Sequence, residues 1–84
     1  MQKLVRSSDP GAERYRDRLR QSAAAFEAAA SAAGGDAARR ELAADAAARR
    51  TAIEATLDPC WMTDSEALER AMNYLDRNDP TPTY

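Results

Sequence analysis

The sequence has no histidine and only one cysteine, and these absences exclude several kinds of functional site. A disulfide framework needs at least two cysteines, and a zinc site or a histidine-based catalytic centre needs side chains that this chain lacks. Cys60 has no histidine partner that would activate it as a nucleophile. We therefore expect a protein that is not an enzyme and that binds no metal and no cofactor.

Residues that favour β-sheets are also scarce. Val, Ile, Phe and Trp together number four, whereas 20 of the 37 hydrophobic residues are alanine, which is the strongest helix former. The composition therefore predicts an all-α fold. Because alanine buries little apolar surface, a chain of 84 residues with this composition is a marginal folding unit. We expect self-association or a larger partner to add to its stability.

Capping residues and helix breakers predict two long helices that form an antiparallel hairpin. Asp9 and Pro10 predict the start of the first helix, because aspartate caps helices and proline suits the first helical position. Gly34-Gly35 predict its end through a positive φ angle. Asp36 is expected to cap the second helix, which ends before Asp58-Pro59 because a residue before proline is driven out of the helical region.

A third, shorter helix is predicted near the carboxyl end. Thr63 and Glu66 have the spacing of a capping box, and the helix should end near Asn78. The resulting expectation is one helical domain spanning residues 1–84, in which residues 1–8 and 79–84 are tails. The fold is therefore predicted to be a long, alanine-rich hairpin with a short third helix, which dimerisation would complete as a bundle.

The two long helices extend beyond the third, so part of the hairpin is predicted to have no helix of the same chain packed against it. We call residues 28–48 the arm; they contain 12 alanines and one larger aliphatic residue, Leu42. Small side chains allow two helices to approach closely, and two arms can pack as a four-helix bundle. We expect a homodimer through the arm, with docking on a different protein as the alternative.

The two ends of the chain carry opposite charge. Residues 3–20 have a net charge of +3 and residues 58–84 a net charge of −4, which favours self-contact or two different partner surfaces. No segment has the length or hydrophobicity of a membrane span or a signal peptide. We therefore expect a cytoplasmic protein without a membrane partner.

Seven residues are candidates for partner binding. Six are arginines of the predicted hairpin, whose guanidinium groups suit carboxylates on another protein; the alternative is that they are solubilising charges. The seventh is the tryptophan of the Cys60-Trp61-Met62 connector, which is either a core residue or an interface anchor. The seven candidates are Arg14, Arg18, Arg39, Arg40, Arg49, Arg50 and Trp61.

Three functions remain open at this stage. The first is a small helical protein that binds and regulates or inhibits a larger protein or nucleoprotein complex. Short chains without catalytic residues often act in this way, and phage-encoded inhibitors of host defence, such as anti-CRISPR proteins, are among them. The second is an assembly subunit that acts by self-association. The third is weak nucleic-acid binding through the collar of Arg14, Arg16, Arg18 and Arg20, although the acidic residues elsewhere make direct nucleic-acid contact the less favoured interpretation.

Overall fold

The computed structural model describes residues 3–79, which form three α-helices and a two-stranded sheet. In chain order the elements are β1 (Leu4–Arg6), α1 (Pro10–Ala32), α2 (Asp36–Thr56), β2 (Met62–Asp64) and α3 (Ser65–Asn78). The predicted hairpin and the shorter third helix are both present. The described part of the chain is elongated, with principal extents of 47 × 25 × 16 Å.

Helices α1 and α2 form the antiparallel hairpin. Contacts from residue 16 to 56 and from residue 22 to 49 show that positions advance along α1 as they retreat along α2. The buried face of α1 carries residues spaced three, four and seven apart, as an amphipathic helix requires. These residues are Ala12, Arg16, Leu19, Ser22, Ala23, Phe26 and Ala30.

Helix α3 runs parallel to α1 and packs against its first half. Leu68 lies beside Gly11, where a Cβ built on the glycine would be 3.3 Å from Leu68 Cδ2. Near the end of α3, Asp76 contacts Arg18, and the C-cap residue Asp79 contacts Ser22. Because α3 spans only 14 residues, it leaves the arm uncovered on its side of the hairpin, as the sequence predicts.

The hydrophobic core lies at the base of the hairpin, at the end remote from the turn. Val5, Ala12 and Leu68 are its buried centre, and each is at most 7% exposed. Three larger side chains, Tyr15, Trp61 and Met72, are partly buried against this centre. The base is therefore formed jointly by β1, α1 and α3.

The two short strands were not expected from the sequence. β1 pairs antiparallel with β2, in the register Leu4 to Asp64, Val5 to Thr63 and Arg6 to Met62. Val5 is buried because alternate residues of a strand face opposite sides. The segment 1–8, predicted as a tail, thus contains a strand at Leu4–Arg6, while residues 80–84 of the other predicted tail lie outside the described residues.

Three details of the predicted helix ends are corrected. No described residue has a positive φ: Ala33 follows α1 in extended backbone, and Gly35 precedes α2 at φ −139°. Asp36 is the first residue of α2 rather than its cap. The N-cap of α3 is Asp64, whose Oδ1 accepts a hydrogen bond of 2.7 Å from the Ala67 N–H. Thr63 lies one residue further from the helix, which begins at Ser65, so the capping position falls to Asp64.

Candidate functional site

Arg49, one of the predicted binding residues, lies inside the hairpin. It is 9% exposed, and its guanidinium carbon lies 4.0 Å from the centre of the Phe26 ring. Its Nε donates a hydrogen bond of 2.6 Å to Ser22 Oγ, and Nη1 donates one of 3.0 Å to the Asp45 carbonyl. The contacts with Phe26 and Ser22 join α2 to α1, so the side chain has a structural role.

Arg16, a member of the arginine collar considered for weak nucleic-acid binding, is a second buried arginine. It is 8% exposed and donates from Nη1 to the carbonyls of Ser7, at 2.9 Å, and Thr56, at 3.3 Å. Thr56 is the last residue of α2, whose final turn has no basic residue of its own. Arg16 therefore supplies a cation to the negative end of the α2 dipole. Its position four residues after Ala12 and three before Leu19 was the available signal.

Arg18 brings the basic start and the acidic end of the chain together. Its Nη2 forms an ion pair with Asp76 and lies 3.6 Å from an oxygen of Asp79. Ser22 also donates to the Asp79 carboxylate, at 2.5 Å. The opposite charges that the sequence shows at its two ends are thus partly neutralised within one molecule, between α1 and α3.

The two other arginines of α2 for which the structure gives contacts lie on its surface. Arg50 forms an ion pair with Glu27 across the hairpin, and the hydrogen bond from Arg50 lowers the pKa of the Glu27 carboxyl. The same contact raises the pKa of Arg50. Arg39 donates to the Ala33 carbonyl at 3.4 Å, so it contacts the turn.

Arg14 and Arg40 are the two predicted arginines that form neither an ion pair nor a side-chain hydrogen bond within residues 3–79. Both are exposed, Arg14 on α1 near the base and Arg40 on α2 near the turn. The six predicted arginines are therefore spread over the hairpin and do not form one row. Arg14 lines a groove with larger apolar side chains, formed by the start of α1, β1 and α3.

This groove lies between the start of α1, β1 and α3, and we call it the α1–α3 groove. Its volume is about 610 Å³. Val5, Leu68 and Met72 supply apolar surface, and Gly11 allows α3 to approach because it has no side chain. Charged groups line its rim, with the cations Lys3 and Arg14 and the carboxylates Asp9, Glu69 and Asp76.

The two cations of the rim are available for an external ligand. Within residues 3–79, neither Lys3 nor Arg14 forms an ion pair, whereas Asp76 is held by Arg18 and Asp9 accepts a hydrogen bond of 2.9 Å from the Arg6 N–H. Glu69 lines the same groove and likewise forms no ion pair in the described part of the chain. The groove thus combines an apolar floor with two cations and three carboxylates on its rim, a combination that suits a polypeptide segment.

Trp61 takes a position between the two predicted alternatives. Its ring stacks on that of Tyr15 with a centroid distance of 6.4 Å and an interplanar angle of 19°. It is partly buried and packs against the core, while its neighbour Met62 is 56% exposed. Burial raises the pKa of the Tyr15 phenol above its ordinary value. Trp61 and Met62 both line a crevice of about 270 Å³ between the end of α2 and α3.

A further groove follows the interface of α1 and α2 along the arm. Its volume is about 660 Å³, and alanines from both helices line it together with the Glu27–Arg50 ion pair. Ala28 and Ala47 belong to this lining and are exposed. The arm therefore presents small side chains to the outside, as the sequence predicts.

The described residues contain no cluster of potential ligands that would hold a metal ion. Over the same part of the chain, every helix is too short or too polar to traverse a lipid bilayer. Comparison of the chain with protein-family models, with curated proteins and with solved structures found no match. The functional argument therefore depends on the surface of the molecule alone.

Proposed function

We propose that this chain is a small, non-enzymatic protein of the cytoplasm that binds a larger protein or nucleoprotein complex and regulates or inhibits it. The α1–α3 groove is the proposed binding surface. The observation that carries the proposal is the apolar floor of this groove together with two rim cations that have no ion-pair partner in residues 3–79.

The groove suits a short protein segment with an apolar side chain next to a carboxylate. The apolar side chain would contact Leu68 and Met72, and the carboxylate would accept hydrogen bonds from Arg14 or Lys3. An interface of this kind derives affinity from the desolvated apolar contact and orientation from the charge-assisted hydrogen bonds. The remaining body of the molecule would block access to the partner's surface around this segment.

The test is capture of a partner from a lysate of the source cells, followed by an affinity measurement with the purified partner. We expect Arg14→Glu to weaken binding at least tenfold, because it places a carboxylate where the partner's carboxylate would lie. Arg20→Glu is the matched control, since Arg20 is exposed on the same helix and pairs only with Asp17. Equal binding by both variants, with folding verified by circular dichroism, would contradict the proposed surface.

Self-association through the arm is a second proposal, favoured by the exposed alanine-lined groove between α1 and α2. Two such grooves related by a two-fold axis would pack as a four-helix bundle. Multi-angle light scattering at high micromolar concentration should then show a dimer. Ala47→Glu should yield a monomer, whereas Ala44→Glu, on an exposed part of α2 outside the groove, should not. A monomeric unmodified chain would refute this proposal.

A further inference from the structure

The outer face of α3 carries an exposed aromatic residue between two arginines. Leu68 and Leu75 of this helix are buried, at 7% and 4% exposed, but Tyr74 is 60% exposed. Arg70 lies four residues before Tyr74 and Arg77 three residues after it, so all three share one face. Together with Asn73 and Asn78 they line a shallow hollow of about 410 Å³. We call the surface formed by these five residues the α3 ridge.

The charges of the α3 ridge are weakly matched within the chain. Asp76 and Asp79 are held by Arg18 on the side of α3 that faces α1. Arg77 forms no ion pair in residues 3–79, and Arg70 Nη1 lies 3.9 Å from Glu66 Oε2, with both side chains more than half exposed. Exposed contacts of this length contribute little. The ridge thus presents cationic hydrogen-bond donors to an external acceptor.

A purely structural role accounts for only part of this arrangement. A cation in the last turn, such as Arg77, stabilises a helix through its dipole. That effect does not explain Tyr74, whose ring is left in solvent although a polar residue at this position would maintain the helix equally well. Tyrosine and arginine are the residue types that most often dominate the free energy of protein binding.

We propose that the α3 ridge binds an acidic helical segment of a partner protein. Arg70 and Arg77 are seven residues apart, which corresponds to about 10 Å along the helix axis. Two carboxylates separated by two turns on a partner helix match this spacing, and each guanidinium can engage one of them in two hydrogen bonds. Tyr74 would lie between them and contact the aliphatic stems of the partner's side chains. This surface adjoins the α1–α3 groove, on which the proposed function rests, and shares Asn73 with it.

The charge of α3 favours a protein partner over a nucleic acid. The helix carries Glu66, Glu69 and Asp76 as well as its two arginines, so its net charge is negative. Binding to a phosphate backbone depends on several cations acting together, and α3 supplies only two. Two guanidinium groups at a fixed spacing instead suit two individual carboxylates at short range.

The experiment is an NMR titration of the full chain with a synthetic helical peptide that has two glutamates seven residues apart. The matched peptide has glutamine at both positions, and a single-stranded oligonucleotide is the third probe. We expect the glutamate peptide to shift the amide and side-chain signals of Tyr74 and Asn78, which line the α3 ridge and not the groove, with the glutamine peptide binding at least tenfold more weakly. Arg77→Gln or Arg70→Gln should weaken binding about fivefold each, which equals about 1 kcal/mol.

Three controls separate the alternatives. Arg20→Gln removes the same charge from α1 and should leave binding of the peptide unchanged, because Arg20 pairs only with Asp17. Tyr74→Ala should weaken binding while the circular dichroism spectrum stays the same, since the ring is exposed. Arg14→Glu alters the α1–α3 groove alone, so a loss of binding with this variant and not with Arg77→Gln would overturn the inference and favour the groove.

Other outcomes would also overturn the inference. Tighter binding of the oligonucleotide than of the glutamate peptide would assign the α3 ridge to nucleic acid. Equal losses with Arg77→Gln and Arg20→Gln would indicate attraction to the overall charge and no specific surface. Signal shifts at Tyr74 that depend on the concentration of the chain itself, without any peptide, would assign the surface to a second copy of this chain.

Discussion

Replacing Arg49 with methionine should destabilise the fold, although Arg49 is a polar residue whose charge suggested a role in binding. Methionine retains the aliphatic stem and removes the guanidinium, which lies 4.0 Å from the centre of the Phe26 ring. Ser22 Oγ loses its donor at 2.6 Å. The carbonyl of Asp45 stays satisfied, because it belongs to the regular hydrogen-bonding pattern of α2.

The magnitude follows from these contacts. A hydrogen bond from a charged donor contributes about 1.5–3 kcal/mol, and a largely desolvated cation–π contact about 1–2 kcal/mol. Part of the loss of these contacts in the variant is offset, because folding no longer has to remove a guanidinium from water. We therefore expect a net loss of about 2 kcal/mol of unfolding free energy. For a domain of this size that corresponds to a decrease of about 8–16 °C in Tm.

The assay is thermal and urea denaturation followed by circular dichroism, with Arg50→Met as the matched control. Arg50 is the adjacent residue in the same helix, but its side chain is exposed and its contact is a surface ion pair with Glu27. We expect the control to leave the midpoint nearly unchanged. If the two variants unfold at the same midpoint, Arg49 does not join the helices as described, and its assignment to partner binding becomes the better one.

Three further predictions concern a helix cap and two titrating groups. Asp64→Ala should cost about 1 kcal/mol and lower the helical NMR shifts of the first turn of α3, because the N-cap acceptor is lost, while Thr63→Ala retains that cap. Because burial raises the pKa of Tyr15, the neutral phenol stabilises the fold below its ordinary pKa, and this stability is lost as pH rises through the raised value. Tyr15→Phe should therefore flatten the alkaline decline of Tm, and an unchanged decline would contradict this reasoning. The contact with Arg50 lowers the pKa of Glu27. The ion pair therefore stabilises the fold above the ordinary pKa of the carboxyl, and this stabilisation is lost as pH falls through the lowered pKa. Arg50→Met should return that pKa to its ordinary range in a carboxyl NMR titration.

The helices could be predicted from the sequence because their signals are local. The apolar spacing around Leu19 and Phe26, the start at Pro10 and the break at Gly34-Gly35 each depend on a few neighbouring residues. These signals gave the hairpin, the short third helix and the exposed arm. They did not give the exact cap of α3, because Thr63 and Asp64 are both residue types that cap helices and the local pattern does not choose between them.

The strand pairing and the buried arginines could not be predicted from local patterns. β1 meets a segment more than fifty residues away, and its only apolar signal is Leu4-Val5. Arg16 is buried because two carbonyls from different parts of the chain converge on it. The sequence does not indicate which carbonyls these are, because every residue has a backbone carbonyl. The α3 ridge was missed for the opposite reason: Tyr74 falls at the edge of the apolar face, where core and surface are not distinguishable from spacing alone.

The hydrogen bonds that Arg16 donates to Ser7 and Thr56 have a consequence for the way the molecule opens. Helix α2 obtains the cation for its carboxyl end from α1, so its last turn loses that support whenever α1 separates from it. The same separation would break the hydrogen bond from Arg16 to the Ser7 carbonyl, which holds the turn that follows β1. We therefore expect the base to open as one cooperative unit and the turn end of the arm to fray independently. Backbone amides of α1 near Arg16 and of α2 near Thr56 should thus exchange with deuterium at one common slow rate, in step with each other and far behind those near Ala33.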